Sequence, residues 1–271
     1  MAESVQTGLV PATQVARERL LQQAPNGLQY AAYGDTGITP PDLIRMVQAV
    51  PVSIAAALTR KAYYFVPLAM SEARHEGAPE GKLNGRPLSK TEPEPIMIAT
   101  AYTAELSEHA ICHRNVSLGD KDGIFISTRL LSDRFALAFE LFINIGHAFV
   151  EAVGVPASFV DLVWGHAVAD VRGETSQDAW ESRANALQPS PSNGKPRIDE
   201  KAKTEYIESA FSDALAIYQL SLAVDFDYSE LREREYPLLA PQPLAERLRH
   251  VAKLFPPNPA YEFAIRYRRR A

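Results

Sequence analysis

The chain has 271 residues and a formal net charge of −5, and 46% of its residues are hydrophobic. This composition is that of an ordinary globular protein, and the length suits one or two domains. Because the net charge is mildly acidic, we expect no nucleic-acid partner, which would require a broad basic surface. The single cysteine excludes an intrachain disulfide. A reducing compartment suits such a chain, so we predict a cytoplasmic location.

Targeting and membrane segments are not expected. Residues 1–19 lack a charged start followed by a long apolar run, so we predict no secretory leader. The longest apolar stretch, Phe135 to Val153, approaches the roughly 18 residues needed to cross a bilayer. Because four polar residues interrupt it, we interpret it as a buried core helix and expect no membrane partner.

In chain order, the sequence alternates between helical and strand-like segments. Apolar spacing and composition predict helices over 12–24, from Pro40 onward, and over 103–113, 133–153, 157–171, 177–187, 201–222 and 241–254. Runs of β-favouring residues predict strands over 61–70, 96–100 and 123–128, with an edge strand over 261–267. Gly- and Pro-rich stretches predict long loops near 75–95 and 188–196. The sum predicts an α+β fold that is predominantly helical, in a single domain over 1–271.

The segment 133–153 is predicted to be the central helix of the fold. Asp133 or Ser132 suits the N-cap, and Gly154 followed by Pro156 suits the end of the helix. The segment is apolar almost all the way round, which is typical of a helix inside the core. We therefore expect a small sheet beside a central buried helix.

A polar stripe interrupts this apolar helix. Glu140, Asn144, His147 and Glu151 follow one another at intervals of four, three and four residues, which places them on one helical face. Buried carboxylates without partners are costly. One interpretation is therefore an exposed edge of the helix, or carboxylates paired with arginines. The other is a polar cavity that also receives Glu181 and holds zinc or another divalent transition metal.

A second group of metal-ligand residue types lies upstream. His109 and His113 are four residues apart, and on one helix both imidazoles would face the same way, as two ligands of one metal do. Pairs at this spacing also arise by chance. They are candidate ligands beside His147 and Glu181.

Three segments together resemble the zincin-type metallopeptidases, nearest to the ImmA/IrrE family or to HtpX-type peptidases. Gly123 to Leu131 resembles the strand that precedes the metal-binding helix, and Arg134 to Ala138 resembles the start of that helix. Glu181 to Asn185 resembles the later segment that carries a glutamate ligand. The resemblance covers roughly residues 120–187 and implies a zincin-like core with Glu181 as the third ligand.

The zinc motif itself, His-Glu-x-x-His, is not intact. In one register it falls on 143–147, which keeps His147 but places Ile143 at the first ligand and Asn144 at the general base. In the other register it falls on 139–143, which keeps Glu140 and loses both histidines. Neither register supplies the ligands and the carboxylate base of a catalytic zinc. We favour the first, because it places His147 on the polar stripe.

Three hypotheses for function follow. The favoured one is a catalytically degenerate metallopeptidase-like protein that acts as a binding or regulatory module for a protein or peptide and has no peptidase activity. The second is a metal-binding enzyme whose site is rebuilt from His147 and Glu181 with His109, His113 or Glu151. The third is a structural or protein-interaction domain unrelated to peptidases. The basic tail 266–270 is interpreted either as a solvated terminus or as a contact for an acidic partner.

Overall fold

The computed structural model describes residues 8–71, 95–131, 133–188, 197–231 and 236–265. The chain divides into two compact units. The first comprises residues 1–22, 29–38 and 60–132, and the second comprises 23–28, 39–59 and 133–271. The predicted loops near 75–95 and 188–196 fall largely outside the described residues. The prediction of one domain over 1–271 stays a prediction.

Helices outweigh strands, as expected for the predicted α+β class. The helices are α1 (Ala12–Glu18), α2 (Pro40–Ala49), α3 (Val52–Ala55), α4 (Ala104–Ser107), α5 (Arg134–Val153), α6 (Ala157–Val168), α7 (Gln177–Ala186), α8 (Glu200–Ala223) and α9 (Pro241–Leu254). The strands are β1 (Leu9–Pro11), β2 (Gln22–Gln23), β3 (Gln29–Ala32), β4 (Lys61–Val66), β5 (Leu68–Met70), β6 (Met97–Ala99), β7 (Ala110–Ile111), β8 (His113–Ser117), β9 (Asp122–Ser127), β10 (Leu187–Gln188) and β11 (Arg197–Ile198).

The larger sheet of the first unit has the strand order β2-β3-β4-β9-β8. Strands β3, β4 and β9 run parallel, and β8 pairs antiparallel with β9 at one edge. Residues 118–121 form the hairpin turn between β8 and β9, in which Leu118 N donates to Lys121 O at 2.8 Å and Gly119 lies at φ 87°. Such turns match the twist of an antiparallel pair, and a positive φ favours glycine.

The core of the first unit lies against one face of this sheet. Tyr64 of β4 and Phe125 of β9 stack with ring centroids 4.5 Å apart, and Ala12 and Val15 of α1 belong to the same buried cluster. Pro67 separates β4 from β5, because proline cannot donate to a strand ladder. The predicted strand over 61–70 is therefore two strands.

The second unit is built mainly from helices. Helix α5 begins as predicted at Asp133, whose side chain accepts from Phe135 N, and ends at Gly154 with φ 79°. Helix α8 packs against α5, α7 and α9. Its middle turns are buried almost all round, which identifies it as the central element of this unit beside α5.

Helix α5 is the one helix in the described part of the chain that is long and apolar enough to cross a bilayer. Half of the residues in its most apolar 18-residue stretch are buried inside the fold. The core helix of a water-soluble protein has the same length and composition, and this burial agrees with the predicted core helix.

Three predicted elements are wrong. The helix predicted over 103–113 covers only 104–107, because Ala110 and Ile111 pair with β5 and His113 begins the strand that pairs with β9. The helix predicted over 12–24 ends at Glu18, and residues 22–23 form β2. Residues 261–265 form no strand. Side-chain contacts hold them instead, including Tyr261 Oη donating to Arg45 O at 2.8 Å.

Candidate functional site

The polar stripe on α5 runs from the interior to the surface. Asn144 is buried, and its Nδ2 donates to the backbone oxygen of Glu140 at 2.8 Å and to Glu140 Oε1 at 3.1 Å. Glu140 is half-buried, whereas His147 and Glu151 are exposed. The structure thus brings Glu140 and Asn144 together and places His147 on the solvent-exposed face of the helix.

The remaining predicted ligands lie on other elements. Glu181 is exposed on α7, and its Oε1 accepts from Gln177 Nε2 at 2.8 Å. His109 is exposed in the turn after α4, and His113 is the first residue of β8. The expectation that both histidines project from one helix is therefore wrong, because a turn and two strands occupy this segment.

The zinc site implied by the resemblance does not fit these residues. A catalytic zinc needs three protein ligands around an open position. Within the described ranges, no group of three or more His, Cys, Asp or Glu side chains is placed to hold a metal ion. Metal binding by His147, Glu181, His109 or His113 stays a prediction, and no reaction step is assigned to a metal.

The glycine that precedes His147 has a packing role. A Cβ at Gly146 would lie 2.7 Å from Ser212 O, a backbone atom of α8. Real Cβ atoms do not approach a backbone oxygen this closely, so α5 and α8 pack at this distance only because residue 146 has no side chain. Gly146 therefore sets the spacing of the two central helices.

A buried ionic cluster in the second unit was not predicted. Glu174, which is fully buried, accepts from Arg247 Nη1 at 2.8 Å, from Arg183 Nη1 at 3.2 Å and from the Tyr206 hydroxyl at 2.8 Å. Its partners belong to α9, α7 and α8, so one carboxylate ties together three helices. We call these four residues the Glu174 cluster.

Burial and the neighbouring charges both shift the pKa values of the side chains in the Glu174 cluster. Burial alone lowers the pKa of Arg247, but Glu174 beside it raises the pKa above its ordinary value, so the guanidinium stays charged. Burial raises the pKa of Tyr206, so its hydroxyl stays a donor to Glu174. Arg183 also donates to the backbone oxygen of Val171 at 2.6 Å, which fixes the segment before α7. Glu174 accepts a hydrogen bond from each of the other three members. We therefore interpret the cluster as a structural feature that joins the helices.

One sequence signal could have located this cluster. On α9, Arg247 lies between Leu244, Leu248 and Val251, all of which are buried. On α7, Arg183 shares the buried face of Ala179. A charged residue on an apolar helical face requires a buried partner of opposite charge. The signal predicts that a partner exists but does not identify Glu174.

Asp213 on α8 is a second buried carboxylate. It is 5% exposed and accepts from Thr175 Oγ1 at 2.8 Å. Burial raises the pKa of Asp213 to about 6, although hydrogen bonds from Ser176 and Thr175 oppose this shift. Because Ser176 is the N-cap of α7, Asp213 links α8 to the first turn of α7.

A cleft of about 1270 Å³ opens in the second unit. Its walls are the end of α8, the connection to α9, the first half of α9, the end of α2 and residues 259–265. The apolar part of the lining includes Ile217, Leu222, Phe226, Leu244, Phe263 and Ile265. Among the described lining residues, three carboxylates, Asp225, Asp227 and Glu262, occur with one arginine, Arg45.

Strand β8 leaves one edge of its sheet open among the described strands. Ser127 N donates to Cys112 O and Leu118 N donates to Lys121 O, both at 2.8 Å. Between these two hydrogen-bonded pairs, the register pairs His113 with Ile126, Asn115 with Ile124 and Ser117 with Asp122. Hydrogen-bonded and non-hydrogen-bonded pairs alternate in an antiparallel ladder. The main-chain groups of residues 113, 115 and 117 therefore point away from β9.

Comparison with known proteins gives no relative. No protein-family model, no curated protein and no solved structure matches this chain. The basis for assigning a function is therefore the fold and the side-chain geometry.

Proposed function

We propose that this chain is a binding module on a zincin-like scaffold, and that it holds an extended peptide along β8 without hydrolysing it. The topology of the first unit supports the scaffold. Strand β9 pairs in parallel with β4 on one side and antiparallel with the edge strand β8 on the other, and the chain continues from β9 to the long helix α5. The resemblance implies the same order, a short strand followed by the helix that carries the zinc motif.

The proposal that the peptide is not cleaved rests on the side chain of Asn144. In the favoured register Asn144 takes the place of the glutamate base. An amide cannot accept a proton from an attacking water. Its Nδ2 is already engaged by Glu140 at 2.8 and 3.1 Å. Ile143, at the first ligand position, has no metal-binding atom. The scaffold thus lacks both the base and a ligand that zinc-dependent hydrolysis needs.

The outer edge of β8 at Asn115 and Ser117, which no described strand covers, supports peptide binding. The N–H and C=O groups of residues 115 and 117 are arranged to continue the sheet with one more strand. An extended peptide that adds to such an edge gains main-chain hydrogen bonds with little dependence on its sequence. The side chains of Asn115 and Ser117 are exposed, so a peptide can approach without displacing core residues.

The proposal is tested with fluorescein-labelled β-casein, an unstructured substrate, by fluorescence polarisation. Asn115→Pro removes one outward N–H, and the ladder to β9 does not use it. Asn115→Ala changes the same side chain and keeps the N–H, so it is the matched control. Loss of one hydrogen bond predicts roughly two- to tenfold weaker binding for Asn115→Pro than for Asn115→Ala.

Two results would contradict the proposal. One is casein that does not bind the wild-type protein. The other is equal affinity for both variants when their circular dichroism spectra match that of the wild type.

A further inference from the structure

The cleft of the second unit has a chemistry that selects its occupant. In the part of the lining that the structure describes, carboxylates outnumber cations, with Asp225, Asp227 and Glu262 against Arg45. Aromatic side chains, Phe226, Tyr228 and Phe263, lie among them. Carboxylates favour guanidinium groups, which they bind through two parallel hydrogen bonds. Aromatic rings favour other rings and the flat faces of arginine. The matching ligand is a short segment that interleaves arginine with an aromatic residue.

The chain itself ends in such a segment. Residues 266–271 read Arg-Tyr-Arg-Arg-Arg-Ala and lie outside the described residues. They follow Ile265, which is part of the cleft lining. The segment therefore starts at the cleft. Its six residues, if fully extended, reach at most about 20 Å from Ile265.

The approach of the chain to this point is fixed by side chains. Asn258 Nδ2 donates to Gln48 O at 2.8 Å and to Val50 O at 2.7 Å. Further along, the Phe263 ring meets Tyr218 edge-on, with centroids 5.2 Å apart. Residues 258–263 are thereby held against α2 and α8, two residues before Ile265 in the cleft lining.

We propose that the C-terminal segment 266–271 docks in this cleft, with its arginines on Asp225 and Glu262 and Tyr267 among the aromatic side chains. The occupant belongs to the same chain. Tethering through Ile265 gives it an effective concentration in the millimolar range. A modest intrinsic affinity is then enough for occupancy. A partner with a similar basic and aromatic segment must displace it.

The test measures binding of a fluorescein-labelled peptide, Arg-Tyr-Arg-Arg-Arg-Ala, to the full chain and to a chain that ends at Ile265. We expect the truncated chain to bind the peptide and the full chain to bind it at least tenfold more weakly, because its own segment competes. In the truncated chain, Asp225→Asn with Glu262→Gln should weaken binding about five- to tenfold, since two charge pairs are lost. Raising the salt concentration should weaken it further.

The matched control in the truncated chain is Asp178→Asn with Glu208→Gln. These two residues are exposed on α7 and α8 and do not line the cleft, so peptide affinity should not change. Equal binding by the full and truncated chains would overturn the proposal, as would equal effects of the two double variants. Sedimentation of the full chain as a dimer that the truncation abolishes would also overturn it, because the segment would then occupy a second copy.

Discussion

Arg247 Nη1 donates to Glu174 Oε2 at 2.8 Å, and neither side chain is exposed to solvent. A buried pair of this kind contributes little net stability against an apolar replacement of both residues, because each charge is removed from water. Removing one partner is different, since it leaves the other charge buried without compensation. The second unit is therefore sensitive to the loss of one member of the Glu174 cluster.

Arg247→Met should lower the free energy of unfolding by about 3 to 5 kcal/mol, because Glu174 loses its main counter-charge. Urea denaturation followed by circular dichroism measures this change. Lys253→Ala, on the exposed face of the same helix, should cost less than about 0.5 kcal/mol. Adding Glu174→Gln to Arg247→Met should recover part of the loss. A single Arg247→Met variant within about 1 kcal/mol of the wild type would show that the charge pair is not the source of stability.

Asp213→Asn should stabilise the protein at neutral pH. The pKa of Asp213 in the fold is about 6, against an ordinary value of 3.8, so the folded state binds the proton more strongly than the unfolded state. In the wild type, the proton on Asp213 stabilises the folded state fully below about pH 4, and this contribution is lost as the pH rises through 6. Thr175 and Ser176 face the carboxylate, and Arg247 and Glu174 act on it in opposite directions.

The variant keeps a neutral side chain at every pH. Its advantage over the wild type should therefore grow by about 3 kcal/mol between pH 4 and pH 7, from a shift of about two pKa units. Urea denaturation of both proteins at several pH values measures the difference. A constant difference over this range would mean that Asp213 titrates normally.

Gly146→Ala should destabilise the protein by about 1 to 3 kcal/mol, although alanine favours helix, because its Cβ would press on the α8 backbone at Ser212. Gly165→Ala on α6 is the control, since its Cβ would meet nothing within 4 Å. That change should stabilise by about 0.5 to 1 kcal/mol. Thermal unfolding of both variants gives the two signs. The same sign for both would argue against close packing of α5 on α8.

His147→Ala should change the free energy of unfolding by less than about 0.5 kcal/mol, because His147 is exposed. Added zinc should raise the melting temperature of neither protein, since a metal that binds the folded state would stabilise it. A zinc-dependent rise that disappears in His147→Ala would restore the hypothesis of a rebuilt metal site.

Local patterns predicted much of the second unit. Helix α9 has the predicted bounds, and α5 begins and ends at the predicted Asp133 and Gly154. These ends depend on capping residues within a few positions of the helix, which a single sequence contains. The helix prediction for 103–113 was wrong because strand pairing with β5 and β9 outweighed the local preference for helix.

The candidate site was less predictable, because it depends on distant pairings. The spacing of Glu140, Asn144, His147 and Glu151 predicted one helical face, but the burial of Asn144 and the exposure of His147 depend on what packs against α5. Glu174 and Arg247 are 73 residues apart, and no local pattern connects them. The cleft likewise joins α2 to residues 259–265.

The central claim, binding without hydrolysis, is tested most directly by one time course of fluorescein-labelled β-casein polarisation with the wild-type protein and added zinc. Binding slows rotation of the label and raises polarisation, whereas cleavage releases small fragments and lowers it. We predict a stable rise that excess unlabelled casein reverses. A progressive fall that a chelator prevents, and that is absent with His147→Ala, would contradict the account.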